Sequence, residues 1–111
     1  MLYDYGDCGW KVDDILWAVT KGDLYGQLAE ECCELAKAAL KAQRYFQGTN
    51  PPAQNGSEIM DSLDEEVADV LLMIDVAMLA PESNERMTAK LRRWHDRLGE
   101  SVYSARKGRV E

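Results

Sequence analysis

A single histidine, His95, and an odd set of three cysteines, Cys8, Cys32 and Cys33, leave little material for the commonest transition-metal sites. Three places before His95 stands Arg92, so the Glu-x-x-His element of di-iron carboxylate bundles is missing. The cysteines form no C-x-x-C and no regular framework, which excludes a thiolate zinc site and a disulfide scaffold and leaves reduced thiols as the expectation. No glycine-rich phosphate loop of the G-x-x-x-x-G-K-S/T or G-x-G-x-x-G kind occurs. Long apolar runs are also missing: the stretch at Val70–Met73 is broken at Asp75, and no basic region followed by an apolar segment opens the chain. The expectation is a soluble, cytoplasmic protein without a membrane partner. Positive charge is scarce too, 13 basic against 20 acidic residues, so a specific nucleic-acid footprint is not expected. What basic charge there is gathers late, at Lys90, Arg92, Arg93, Arg97, Arg106, Lys107 and Arg109, where an anion has local partners.

What is present is helix. With 46% apolar residues in 111, the chain has one ordinary domain's worth of core, spanning 1–111, and a thin one. Residues 1–22 form an irregular opening segment in which Val12, Ile15, Leu16 and Val19 share one face of a short helix closed by Gly22. Asp23 is expected to cap a long helix that Gly48 and Pro51-Pro52 stop after Gln47. Ser57 is expected to cap a second, from Glu58 to about Ala80, and Pro81 to open a third that runs from Glu82 to about Val102. The tail, 104–111, has little to bury and is expected to fray. The fold class is therefore all-α, a bundle of three long helices plus a short N-terminal one. Apolar sides on every long helix exceed what so short a chain covers, so the bundle is expected to be completed by oligomerisation.

Laid out at about 100° per residue, the first long helix contains an anomaly. Leu24, Leu28, Leu35, Ala38, Ala42 and Phe46 lie within about 60° of Glu31, with Glu34 one turn on at the stripe's edge, while Glu30, Lys37 and Lys41 fall to one side. The next helix repeats it: Ile59, Leu63, Val70, Met73 and Ala77 surround Glu66, Asp69 is one turn on, and Asp61, Glu65 and Asp75 turn outward or sideways. Four carboxylates aimed at a core are costly unless positive charge compensates. Either a bound cation or inward-reaching Lys or Arg can supply it, and an all-oxygen set at i, i+3 spacing suits hard Mg²⁺, with Mn²⁺ a close substitute. The plain alternative is a rim of ordinary salt bridges to the last helix.

The segments Gln27-Leu28-Ala29-Glu30-Glu31-Cys32-Cys33-Glu34-Leu35 and Glu65-Glu66-Val67-Ala68-Asp69-Val70-Leu71 resemble the signature of the MazG-like, all-alpha nucleoside triphosphate pyrophosphohydrolases, a Glu-x-x-Glu helix followed by a Glu-x-x-Asp helix. The resemblance covers about Leu24 to Arg97 and departs from the pattern in the long stretch, with its Pro-Pro loop, between Glu34 and Glu66. It implies Mg²⁺ held by Glu31, Glu34, Glu66 and Asp69, which would be the catalytic set, with Lys90, then Arg93, on the triphosphate and Gln27 beside the first motif as a further substrate contact. It also implies a dimer or tetramer, and hydrolysis of a nucleoside triphosphate, a deoxynucleoside triphosphate by preference, between the α and β phosphates.

The remaining candidates have plainer readings. Trp94 belongs to the stripe of Met87, Leu91 and Leu98 and is expected in a core, and Cys32 and Cys33 read as small packing residues. Trp10 and Trp17 suit a nucleobase lid, packing or a dimer contact. The competing function is a non-enzymatic helical scaffold or adaptor, its acids closed around a structural cation or paired with arginine.

Overall fold

The computed structural model describes residues 2–110, with side chains through 108; the side chain of Arg109 and the whole of Glu111, both in the basic tail, lie outside the described residues. Among those residues all regular structure is helical, without strands. A 3₁₀ turn, Gly6–Cys8, leads into α1 (Trp10–Ala18), followed by α2 (Lys21–Gln47), α3 (Gly56–Val76) and α4 (Glu85–Val110). The chain forms two compact units divided between Ala80 and Pro81.

The first unit is a long hairpin of α2 and α3 with the opening segment docked at one end. Both helices begin with reciprocal capping boxes, in which two otherwise unpaired backbone donors are satisfied at once. Thr20 Oγ1 accepts from Asp23 N at 3.1 Å while Asp23 Oδ2 accepts from Thr20 N at 2.9 Å. Asn55 Oδ1 and Glu58 repeat the arrangement at the head of α3. The caps are thus Thr20 and Asn55, not Asp23 and Ser57, because an acid three residues in completes the box. Holding Thr20 extended (ψ 167°) also forces the break after α1, so Gly22 ends nothing and lies in the first turn of α2.

Gln47 ends α2 as expected: Gly48 turns left-handed at φ 71°, and Thr49 N donates to Arg44 O at 3.2 Å. At the end of α3 the same device is built on Met78, a non-glycine at φ 54°, with Leu79 N donating to Ile74 O at 3.0 Å. That turn stops α3 at Val76, short of the expected Ala80.

The core of this unit is small. Val12 from α1, Leu24 from α2 and Met73 and Val76 from α3 form one cluster, with Tyr5, Val19 and Leu28 against it. Ala42, Ile59 and Val70 are buried farther along the hairpin. Leu24 meets the end of α3 and Ala38 shares a cleft with Ile59 near its beginning, so the two helices run antiparallel. Of the α1 face, only Val12 is buried and Val19 half-buried; Ile15 and Leu16 are exposed, and so is Phe46 at the far end of α2.

The second unit is α4. It begins at Glu85 and not at Pro81, which precedes a short bend over 82–84, and it continues to Val110 where the sequence alone suggested an end near Val102 and a frayed tail. Gly99, at φ 34° and ψ −108°, breaks its helical path. The stripe of Met87, Leu91, Trp94 and Leu98 exists, but every member is exposed, Trp94 at 54%, which corrects its expected place in a core. No described helix is long and apolar enough to cross a membrane.

Candidate functional site

Packing α2 against α3 sets the two acidic motifs face to face. One carboxylate oxygen each from Glu31, Glu66 and Asp69 lies within 4.8 Å of the others, a spacing that a single cation can bridge. Glu31 and Glu66 are half-buried and Asp69 is exposed. Glu34 stands outside this triplet, with one oxygen 3.8 Å from Lys37 Nζ on an exposed stretch of α2. The expectation of an interior quartet is corrected here: none of the four is fully buried, because a two-helix hairpin leaves the flank of its seam open to water.

The electrostatics record the crowding. Desolvation, and then repulsion from Asp69, Glu34, Glu31 and Glu65, pushes the Glu66 carboxyl above its ordinary value. Gln27, one turn before Glu31, donates from Nε2 to Glu31 Oε1 at 2.8 Å and so fixes that carboxylate's orientation. Glu30 and Glu65, the adjoining acids of each motif, are exposed. Cys32 and Cys33 are exposed free thiols, contrary to the expectation of packing residues.

Two cavities flank the cluster along α2. The larger, about 490 Å³, is apolar and lies between the opening segment and the hairpin, lined by Tyr5, Val12, Ile15, Leu24, Gln27 and Met73 among others. The smaller, about 180 Å³, holds both charge signs: Glu34, Lys37, Lys41, Gln54, Ser62 and Glu66 line it. Helical spacing placed Lys37 and Lys41 to one side of the apolar stripe and assigned them no role; the available signal was that they follow Glu34 by one and two turns on the same side of α2.

Asp75 is the residue that helical periodicity misplaced. It lies roughly opposite Glu66 on α3 and was expected outward, yet it is 3% exposed. Leu2 N and Tyr3 N donate to its two oxygens at 2.6 and 3.4 Å, and Tyr5 Oη donates to Oδ2 at 2.6 Å. The opening segment folds back across the end of α3 and uses this carboxylate as its anchor. The Tyr5 hydroxyl and the two backbone donors hold Asp75 below its ordinary value, and the same bond pushes Tyr5 up to about 12.

Lys90 and Arg93 are exposed on α4, in the second unit. Trp17 is 91% exposed, and Trp10 carries Lys11 Nζ 5.7 Å from its ring centroid. In comparison with known proteins, no family model, no curated protein and no solved structure matches this chain.

Proposed function

We propose that the protein is a Mg²⁺-dependent nucleoside triphosphate pyrophosphohydrolase of the MazG-like kind, working as a homo-oligomer. The observation that carries this reading is the triplet of Glu31, Glu66 and Asp69 oxygens within 4.8 Å on two neighbouring helices, with Glu66 raised by desolvation and then by its acidic neighbours. An all-oxygen set of this density fits a hard divalent cation, and Glu34, outside the triplet, lies close enough for its charge to act on Glu66; this reading makes it the fourth ligand once it turns from Lys37. A scaffold would close such a cluster with arginine or further ligands; an exposed Asp69 and an adjoining cleft support an open site instead.

Glu31, Glu34, Glu66 and Asp69 would hold Mg²⁺, which would supply neutralisation of phosphate charge and activation of the attacking water. The protein's own part is positioning. Gln27 orients Glu31, the carboxylates present the ion and align the water, and the apolar cavity on the Gln27 side takes the base and sugar. Water adds its oxygen to the α phosphorus, the bond to the bridging oxygen breaks, and that oxygen leaves with pyrophosphate. One water proton ends on the pyrophosphate and the other in solvent. Lys90 and Arg93 on α4, and a dimeric or tetrameric assembly that covers the exposed apolar stripe, belong to the same proposal.

The test is a panel of ribo- and deoxyribonucleoside triphosphates with Mg²⁺, following monophosphate and pyrophosphate separately. Equal release of both from at least one substrate is expected. No hydrolysis across the panel would transfer the reading to a scaffold.

A further inference from the structure

The cleft beside the metal cluster contains groups that cation binding does not need. Lys37 and Lys41 stand one turn apart on α2, and with Gln54 and Ser62 they line a space whose acidic wall is Glu34 and Glu66. Glu66 thus belongs at once to the triplet and to the cleft. An anion in the cleft would lie directly beside a cation at the triplet, with two ammonium groups, an amide and a hydroxyl on its other sides.

We propose that this cleft is the pyrophosphate subsite, in which Lys37 and Lys41 bind the β and γ phosphates and hold them as the leaving group. The inference rests on the function proposed above and adds to it a direction: the substrate lies along α2, base toward Gln27 and phosphates toward Lys41. The spacing suits a chain of phosphates. Glu31 to Lys37 is about 9 Å and Glu31 to Lys41 about 15 Å along the helix axis, and helical side chains lean toward the N-terminus, which brings Lys41 back toward Lys37 on the side of the cleft that Glu34 also lines. Lys37 is available for the task. Its partner Glu34 is 3.8 Å away with the two side chains 70% and 54% exposed, a pair weak enough to exchange for a phosphate when Glu34 turns to the cation. A lysine cleft that served only to neutralise the acids would stabilise the empty protein and distinguish no ligand.

The experiment measures binding of inorganic pyrophosphate and of a nucleoside monophosphate, each with Mg²⁺, by calorimetry on the full chain. The variants are Lys37→Ala, Lys41→Ala and the double substitution, with Lys21→Ala as a charge-matched control on the same helix. All are surface changes, and circular dichroism checks the fold. The double variant is expected to bind pyrophosphate at least tenfold more weakly, to raise KM for the triphosphate by a similar factor, and to keep monophosphate and Mg²⁺ affinity within about twofold. Unchanged pyrophosphate affinity, no pyrophosphate binding by the wild type, or an equal loss for monophosphate would each overturn the subsite. Lysine-dependent pyrophosphate binding without hydrolysis in the wild type would refute the proposed activity and leave the subsite standing, whereas hydrolysis with lysine-independent pyrophosphate binding would refute the subsite alone.

Discussion

Tyr5 donates its hydroxyl to Asp75 at 2.6 Å across 70 positions of sequence, and this bond with its two backbone companions fastens the opening segment to the end of α3. Tyr5 also lines the large apolar cavity, so the anchor shapes one wall of the proposed nucleoside pocket.

Asp75→Asn is therefore expected to lower the thermal midpoint more than Tyr5→Phe, because the amide turns donors toward donors while the phenyl ring removes one bond. The pH dependence follows from the two shifts. Asp75 is lowered in the fold, so its contribution is complete above the ordinary aspartate value and is lost as pH falls through the lowered one. Tyr5 is raised from 10.0 to about 12, so its contribution is complete below 10.0 and is lost as pH rises through about 12. Urea midpoints of wild type and Asp75→Asn should converge toward acid pH. Parallel profiles would show that the anchor does not titrate with folding.

Glu66 carries the opposite sign on the acid side. Its folded-state value is raised, so the stability linked to it is present below the unfolded value and is lost as pH rises through the folded one. At neutral pH the metal-free protein holds a repelled carboxylate, and Glu66→Gln is expected to leave its thermal midpoint equal or higher. Added Mg²⁺ or Mn²⁺ should raise the wild-type midpoint by binding the folded state, and the substitution should shrink that rise. An identical metal response in both proteins would remove Glu66 from the site.

Within the proposed reaction, Asp69→Asn and Glu34→Gln should each reduce Mg²⁺-dependent hydrolysis roughly a hundredfold or more, through weaker hold on the ion. Glu65→Gln, exposed and one helical step from Glu66, should stay within a few fold. Gln27→Ala should weaken Mg²⁺ affinity by about tenfold or more, since the amide orients Glu31 without meeting the ion. Calorimetric metal titration separates the two: equal metal affinity in Gln27→Ala and wild type would leave Gln27 no positioning role.

Met78 offers a test of the backbone. It is exposed, holds φ 54° and closes α3 where glycine is the favoured residue. Relieving that strain through Met78→Gly should stabilise the protein by about 1 kcal/mol, read as a rise of several degrees in the thermal midpoint. A lower midpoint would mean that the Met78 side chain contributes packing that outweighs the turn.

Much of the fold was written locally. Gly48 and the Pro-Pro pair end α2 in sequence and in space, and Thr20-x-x-Asp23 and Asn55-x-x-Glu58 are complete capping boxes, from which the expected caps Asp23 and Ser57 were displaced by a few residues. The facing of Glu31 toward Glu66 and Asp69 was also legible, since helical spacing fixes which side chains share a stripe and a short loop brings the stripes together.

Spacing along one helix gives an angle and not what packs at that angle. Asp75 sits on the face periodicity assigns to solvent, and only the return of Leu2, Tyr3 and Tyr5 buries it. The same limit made Phe46 and Trp94 look like core and the carboxylates look interior, when a two-helix seam leaves its flank open. Lys37 and Lys41 became part of a cleft only once Gln54 and Ser62 were placed opposite them. The sequence determined the helices and the inward stripe because both follow from interactions within a few residues; the tertiary structure decided burial and the cavities, because those depend on segments distant along the chain.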